Sequence, residues 1–564
     1  MSPARFHGQG LEYGTSEGNL RAVAADLVFT GGPVHCLDQG NTRTDSLAVH
    51  QGRVVALGTE AKALIGAKTE LIDLKGRALL PGFQDAHVHA VFGGLELAQC
   101  DLTGTTDVQE YRRRIRAYAD AHPEAEWITG SGWSMESFAG GVPTADLIDD
   151  VVPDRPVFLY NRDHHGAWVN THALRRADIT RQTPDPADGL INRDAEGNPV
   201  GGLQEGAIAL IGDLVPGATA EDRLNGLLRA QKLLHSIGIT AWQDAMLCAT
   251  NGFPEVSDAY RTAAERDLLT ADVIGALWWD RERGAEQIPE LVEKRKTFTV
   301  GRLRSSTVKI MQDGVAENFT AGMTAPYKDA CGCATANRGL SFVEPTALRE
   351  YVRALDALDF QLHFHALGDR AVRESLDAIE NARNANGHKD TRPHLAHLQV
   401  VHPTDVPRFR ALGATATIQA LWAAHEPQMD DLTIPFLGGD LARHQYPFAD
   451  LVNSGARLAA GSDWPVSDAS PIKAVHTAVN RISYGENSPA FLPEQRIDLH
   501  SALSAYTSGS AYVNHRDDTG TLAVGRRADL VVLDRDPFDV PSSEIGSVEV
   551  NLTLVDGAPV YEAG

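Results

Sequence analysis

The sequence predicts an α/β protein: a (β/α)8 barrel, a β-sandwich domain formed by both ends of the chain, and a large insertion after the first barrel strand. Three observations predict it. Strand-like and helix-like segments alternate through the middle of the chain, the pattern of βα units. Short strand-like pieces punctuated by Gly-containing turns recur at both ends. The first two barrel-strand candidates are separated by about 150 residues, too many for a simple crossover.

Taken in order, residues 1–23 are polar and Gly-rich and read as a loose wrapping arm. No apolar core of a secretory signal is visible there. Strand-like pieces follow at 25–30, 46–50, 53–57 and 70–74, separated by Gly31-Gly32, Gln51-Gly52 and Lys75-Gly76. The same texture returns at 529–533, 548–554 and 559–561. Termini often lie close together, so residues 1–80 and 511–564 are assigned to one β-sandwich domain. Residues 81–510 form the barrel, with 92–225 as an insertion or lid over its mouth. The eight strand candidates are about 82–89, 239–244, 271–278, 307–311, 361–365, 394–397, 416–419 and 457–461. Stretches with helical apolar spacing, such as 220–236, 346–358 and 369–384, separate several of them.

Composition narrows the function classes. Hydrophobic residues at 43% and charged ones at 22% describe an ordinary soluble globular protein. A net charge of −24 argues against nucleic acid or an anionic membrane as the main partner, and does not identify a substrate, because local fields can oppose the global sign. No apolar run approaches membrane-spanning length. The five scattered cysteines (Cys36, Cys100, Cys248, Cys331, Cys333) do not form a disulfide framework, which favours a reducing, cytoplasmic setting. Cys331-Gly-Cys333 lacks a second ligand pair and reads as a loop.

The chemistry concentrates at strand ends. In Pro81-Gly-Phe-Gln-Asp-Ala-His87-Val-His89 the two histidines are two apart, so on a strand they share a face. Two imidazoles there suit a divalent transition metal, although for a lone His-x-His pair a half-exposed edge is the commoner reading. Lys309, His365, His397 and Asp463 each fall late in their own strand candidate. Alone, Lys309 reads as a solvated lysine, His397 as a core histidine and Asp463 as a turn aspartate. Together they bring four imidazoles, one acid and one amine to one barrel mouth, the face where barrel enzymes place their active sites.

The long motifs resemble the amidohydrolase superfamily, and within it the branch that includes N-substituted formamide deformylases (amidohydrolase family 3). They are Pro81–His89, Val308-Lys309-Ile-Met-Gln-Asp-Gly314, His363-Phe-His365-Ala-Leu-Gly-Asp-Arg-Ala371, Gly461-Ser-Asp-Trp-Pro-Val466 and Thr519–Leu533. Gly132-Trp133 and Arg162-Asp-His-His165-Gly-Ala-Trp168 in the insertion are similar to the same branch. The resemblance implies one or two divalent metals, zinc by default, held by His87, His89, Lys309, His365, His397 and Asp463. It implies that Lys309 is N6-carboxylated and bridges; an ammonium is no ligand, whereas a carbamate offers two anionic oxygens. His363 is left deeper than His365. The sixth-strand motif, His394-Leu-Ala-His397, has Ala396 where relatives carry Glu.

The implied activity is hydrolysis of a C–N bond, an amide of a small N-acyl or N-formyl compound, by metal-activated water. Asp463 would serve as base and proton donor and His165 as the carbonyl's polarising partner. Trp133, His165, Trp168 and Asp313 are candidate substrate contacts; for the tryptophans packing within the insertion is an equal reading, and for Asp313 the other reading is that it positions the loop after Lys309. A deaminase or a carbamate or ester hydrolase of the same superfamily is the alternative, and a metal-binding pseudoenzyme the non-catalytic one. A Schiff-base enzyme using Lys309 would leave the histidines idle. A homodimer is expected from the family alone.

Overall fold

The computed structural model describes residues 24–247 and 255–564; the expected N-terminal arm and Cys248 lie outside them. Eight parallel strands line up in chain order to make a nearly closed barrel: Phe83–Val88, Ile239–Leu247, Asp272–Trp278, Leu303–Met311, Gln361–Ala366, His394–His397, Thr415–Ile418 and Arg457–Ala460. The expected strands sit at these positions, with ends moved by a few residues. Between the first and last strands, the Asp463 N–H donates to the His87 carbonyl at 2.8 Å and the His89 N–H to the Trp464 carbonyl at 2.9 Å.

The fifth barrel strand shows why these segments become barrel strands. It reads Gln361-Leu-His-Phe-His365, and alternate residues face opposite ways. Leu362 and Phe364 join the main apolar core with Leu348, Val352, Leu376 and Ile379 of the outer helices. Those helices are Pro345–Ala357 and Asp369–Asn386; the first starts on a Glu344 side chain that accepts the Ala347 N–H, and the second stops at Gly387, φ 78°. Gln361, His363 and His365 alternate with the core residues and so fall on the barrel's inner face. That inner layer is unusually polar, and its members bond one another. Gln361 donates to the Arg392 and Val513 carbonyls and accepts from Thr307 and Gln243. His394 bonds Gln243 and Thr417.

Both ends of the chain meet in a second eight-stranded sheet. Leu27–His35, Arg43–His50, Arg53–Leu57, Glu70–Asp73 and Ala78–Pro81 come from the N-terminal side, and Leu530–Leu533, Val550–Val555 and Ala558–Glu562 from the other. Ala78–Pro81 pairs antiparallel with Leu530–Leu533, which joins the two halves. The sequence reading expects a sandwich here; the pairing connects these strands in one sheet, with Phe29 and Leu47 in one apolar cluster and Val28 and Ala48 in another.

Between the first and second barrel strands the chain builds a six-stranded sheet from Cys100–Asp101, Ile128–Trp133, Val157–Asn161, Gly166–Val169, Gly189–Arg193 and Pro199–Glu205. It has its own core, including Tyr111, Ile128, Trp133, Ile148, Leu159 and Trp168. The helix Ala220–Ser236, started by a Thr219–Asp222 capping box, leads back to the barrel. Cys36 and Cys100 are buried and unpaired, and Cys331 and Cys333 are exposed and unpaired. No helix among the described residues is long and apolar enough to cross a membrane.

Candidate metal centre

His87, His89, Lys309, His365, His397 and Asp463 line a single cavity at the C-terminal ends of the barrel strands. It encloses about 900 Å³ including its open mouth. Asp463 sits on the turn after the eighth strand with φ 56°, and His397 ends the sixth with φ 80°. Left-handed backbone at bulky residues is costly and collects at functional sites. Here it turns both side chains toward the first strand. Asp463 Oδ1 lies 3.2 Å from His87 Nε2 and 3.1 Å from His89 Nε2; its Oδ2 is 3.7 Å from His397 Nδ1. The His365 and His397 rings are 4.4 Å apart, centre to centre. Gly461 allows this approach, because a Cβ there would stand 2.6 Å from that of His87.

The donor set fits a divalent cation. One ligand atom each from His87, His397 and Asp463 falls within 4.8 Å of the others. Both ring nitrogens of His397 and the Oδ1 of Asp463 are buried without a hydrogen bond. Buried polar atoms are rarely left so, and a cation would satisfy them. Imidazole and carboxylate ligands suit zinc and its neighbours.

The protonation states agree. Burial pushes His87 down to about 3 and holds His365 and His397 well below the ordinary histidine range. These are the neutral imidazoles that bind metal. Burial opposes the charge on Asp463, but the His87 and His89 side chains outweigh it and hold the carboxyl well below its usual range.

Two partners orient the ligands from behind. His87 Nδ1 meets His363 Nε2 at 2.9 Å, which leaves His87 Nε2 for the cavity. His363 is fully buried, lies against His394 with the tilted rings 3.9 Å apart centre to centre, and does not line the cavity, whereas His365 does. Asp313 stands 3.3 Å from His365 Nδ1 and accepts the N–H groups of Leu367, Gly368 and Gly322. The expectation that Asp313 contacts substrate is therefore corrected. It is fully buried behind His365, where burial raises its carboxyl to about 7 against those three N–H donors.

The insertion supplies the opposite wall. His165 lines the cavity with its ring 5.7 Å from that of His365, and its Nδ1 lies 2.9 Å from Glu205 Oε2. Burial opposes a charge on His165, but the Glu205 carboxylate outweighs it and raises the ring to about 9. Trp133 and Trp168, offered as cavity walls, are corrected: both are buried in the insertion's own core and donate to the Leu159 and Thr144 carbonyls. The apolar walls are instead Phe92, Met246, Trp278, Leu367 and Trp422, the last stacked on His397. Sequence reasoning missed these and missed Glu205. A lone glutamate at the end of a strand carries no local signal; only its distance from His165 reveals it.

The chain matches the amidohydrolase family over residues 70–561. It is 31% identical to Protein LONG AFTER FAR-RED 3 of Arabidopsis thaliana over 552 residues, 96% of this chain and 92% of that protein. Over 557 residues it is 26% identical to N-substituted formamide deformylase of Arthrobacter pascens, covering 95% of this chain and 98% of that one. An uncharacterized metal-dependent hydrolase from Pyrococcus furiosus superposes with a TM-score of 0.69 at 25% identity, over 91% of this chain and all of that one.

Proposed function

The chain belongs to the amidohydrolase family, and from that premise we propose that it hydrolyses the amide C–N bond of a small N-acyl or N-formyl compound. One observation carries the reading. The Asp463 carboxylate lies 3.2 Å from His87 Nε2 and 3.1 Å from His89 Nε2, and His165 lines the same cavity. His87, His89 and Asp463 would hold one cation; His365 and His397 would hold a second, with Lys309 as an N6-carboxylated bridge and zinc as the first choice. When bound, a divalent cation supplies Lewis acidity that polarises a carbonyl and acidifies water.

The chain's own groups then divide the proton work. Asp463 accepts a proton from the attacking water and returns it to the leaving nitrogen. His165 directs an N–H at the carbonyl oxygen as charge develops there. Phe92, Met246, Trp278 and Trp422 would cover an apolar substituent on the amide and keep bulk water out. A relative that bears the name N-substituted formamide deformylase puts formamides first in the panel.

The test is metal analysis joined to a panel of N-formyl and N-acyl amines. We expect bound divalent metal, hydrolysis of at least one amide, loss on chelation and recovery with Zn2+ or Mn2+. Hydrolysis that survives exhaustive chelation, or turnover of esters alone, would sink the proposal.

A further inference from the structure

Glu205 holds φ 51° and ψ −129°, a backbone conformation that non-glycine residues avoid unless their surroundings impose it. The surroundings here are specific. Glu205 Oε2 lies 2.9 Å from His165 Nδ1. Its Oε1 accepts from Thr320 Oγ1 at 2.7 Å and from Asn318 Nδ2 at 3.4 Å. The Glu205 backbone N–H donates to the His165 carbonyl at 3.1 Å, and Asn318 Nδ2 donates to the same carbonyl at 3.0 Å. The loop after the fourth barrel strand must come close to make these bonds. At Gly314 a Cβ would stand 2.2 Å from Thr320 Oγ1 and 2.6 Å from Glu205 Oε1.

An ionised carboxylate only accepts, so His165 Nδ1 is the donor in this pair. The other ring nitrogen, Nε2, lies on the opposite side of the imidazole. We infer that Glu205 is a positioning residue: by taking the Nδ1–H of His165 it fixes that ring and turns Nε2 toward the carbonyl being cleaved. Two chain segments far apart in sequence converge on this arrangement. The insertion contributes His165 and Glu205, and the fourth-strand loop contributes Gly314, Asn318 and Thr320. The same loop follows the strand that carries Lys309, so the polarising group and the metal ligands share a mount. The inference rests on the hydrolase reading only for what Nε2 meets; the orientation of the ring does not depend on it.

The test uses the full-length, zinc-loaded protein labelled with 15N-histidine. A strongly hydrogen-bonded imidazole N–H resonates far downfield, and its loss in His165→Gln assigns it. We expect that signal in the wild type, a clear upfield move in Glu205→Gln, and a smaller move in the same direction in Thr320→Val, which loosens Glu205 without touching His165. For any amide that the wild type turns over, Glu205→Gln should lower kcat on the order of 10²-fold with KM nearly unchanged, the pattern of an interaction made only in the transition state. A His165 signal indifferent to both substitutions would overturn the inference, as would an unaltered kcat. A wild type inactive on every amide would instead defeat the substrate reading, while the resonance still decides whether Glu205 sets the ring.

Discussion

Replacing His363 by Leu should weaken cation binding without unfolding the protein. His87 Nδ1 would lose its acceptor at 2.9 Å, in a place where the side chain is only 1% exposed. A buried donor left without a partner costs about 1–3 kcal/mol. In the cation-free protein His87 escapes this cost by moving its proton to Nε2, 3.2 Å from Asp463 Oδ1. With a cation on Nε2 it cannot. The cost therefore falls on the bound state alone, and about 1–3 kcal/mol becomes roughly a 5- to 150-fold weaker affinity. The assay is zinc competition with a chromophoric chelator on metal-stripped protein, with thermal melts as a check on folding. His363→Gln, which offers an amide oxygen in place of the ring nitrogen, should recover much of the loss. A Leu variant whose Kd stays within about twofold of wild type would refute the argument that His363 selects the ligand form of His87.

Other outcomes follow from the same geometry. Lys309→Ala should lower the metal content of the purified protein, and wild-type stoichiometry would contradict a bridging role. Asp463→Asn should keep the fold yet lose about 10²-fold or more in kcat, the scale of a lost proton-transfer group; normal turnover would reject the assignment. Trp168→Ala should cost about 3–5 kcal/mol of stability, read as a lowered melting temperature, with KM of the folded enzyme unchanged because the ring packs away from the cavity. Glu317, which bonds Thr433, is raised to about 7 by burial, with the Asp163 and Glu426 carboxylates adding to it. Its folded value exceeds its unfolded one, so its contribution is complete in acid and is lost as pH rises through about 7. Glu317→Gln should therefore melt above wild type at pH 8, and the gap should close by pH 5.

The barrel was legible because its strands obey a period of two with polar residues facing in. Gln361-Leu-His-Phe-His365 carries both messages at once: apolar residues for the helices outside and ligands for the mouth within. The six proposed ligands were legible for the same reason, since each lies in the last residues of a strand or just beyond it. What escaped lies off that grid. His165 was visible through its neighbours in Arg162–Trp168, but Glu205 meets it across 40 positions of chain by tertiary contact, and no periodicity encodes that. Trp133 and Trp168 were left between two readings because an indole's neighbours in sequence look the same whether it faces a substrate or a core. Only the insertion's sheet, which buries both, decides between the two. Asp313 was misplaced by a single layer: its neighbours in sequence reach the cavity, and its carboxylate turns back to hold Leu367 and Gly368.

The sheet shared by the two ends of the chain bears on how the molecule is made. Ala78–Pro81 finds its antiparallel mate in Leu530–Leu533, so during synthesis that edge waits roughly 450 residues for its neighbour, a strongly non-local pairing of the kind that folds slowly. Until the mate emerges from the ribosome, an apolar strand edge stands open beside the segment that delivers His87 and His89. Expression of this protein should accordingly be sensitive to translation speed and to chaperones that shield nascent β-edges.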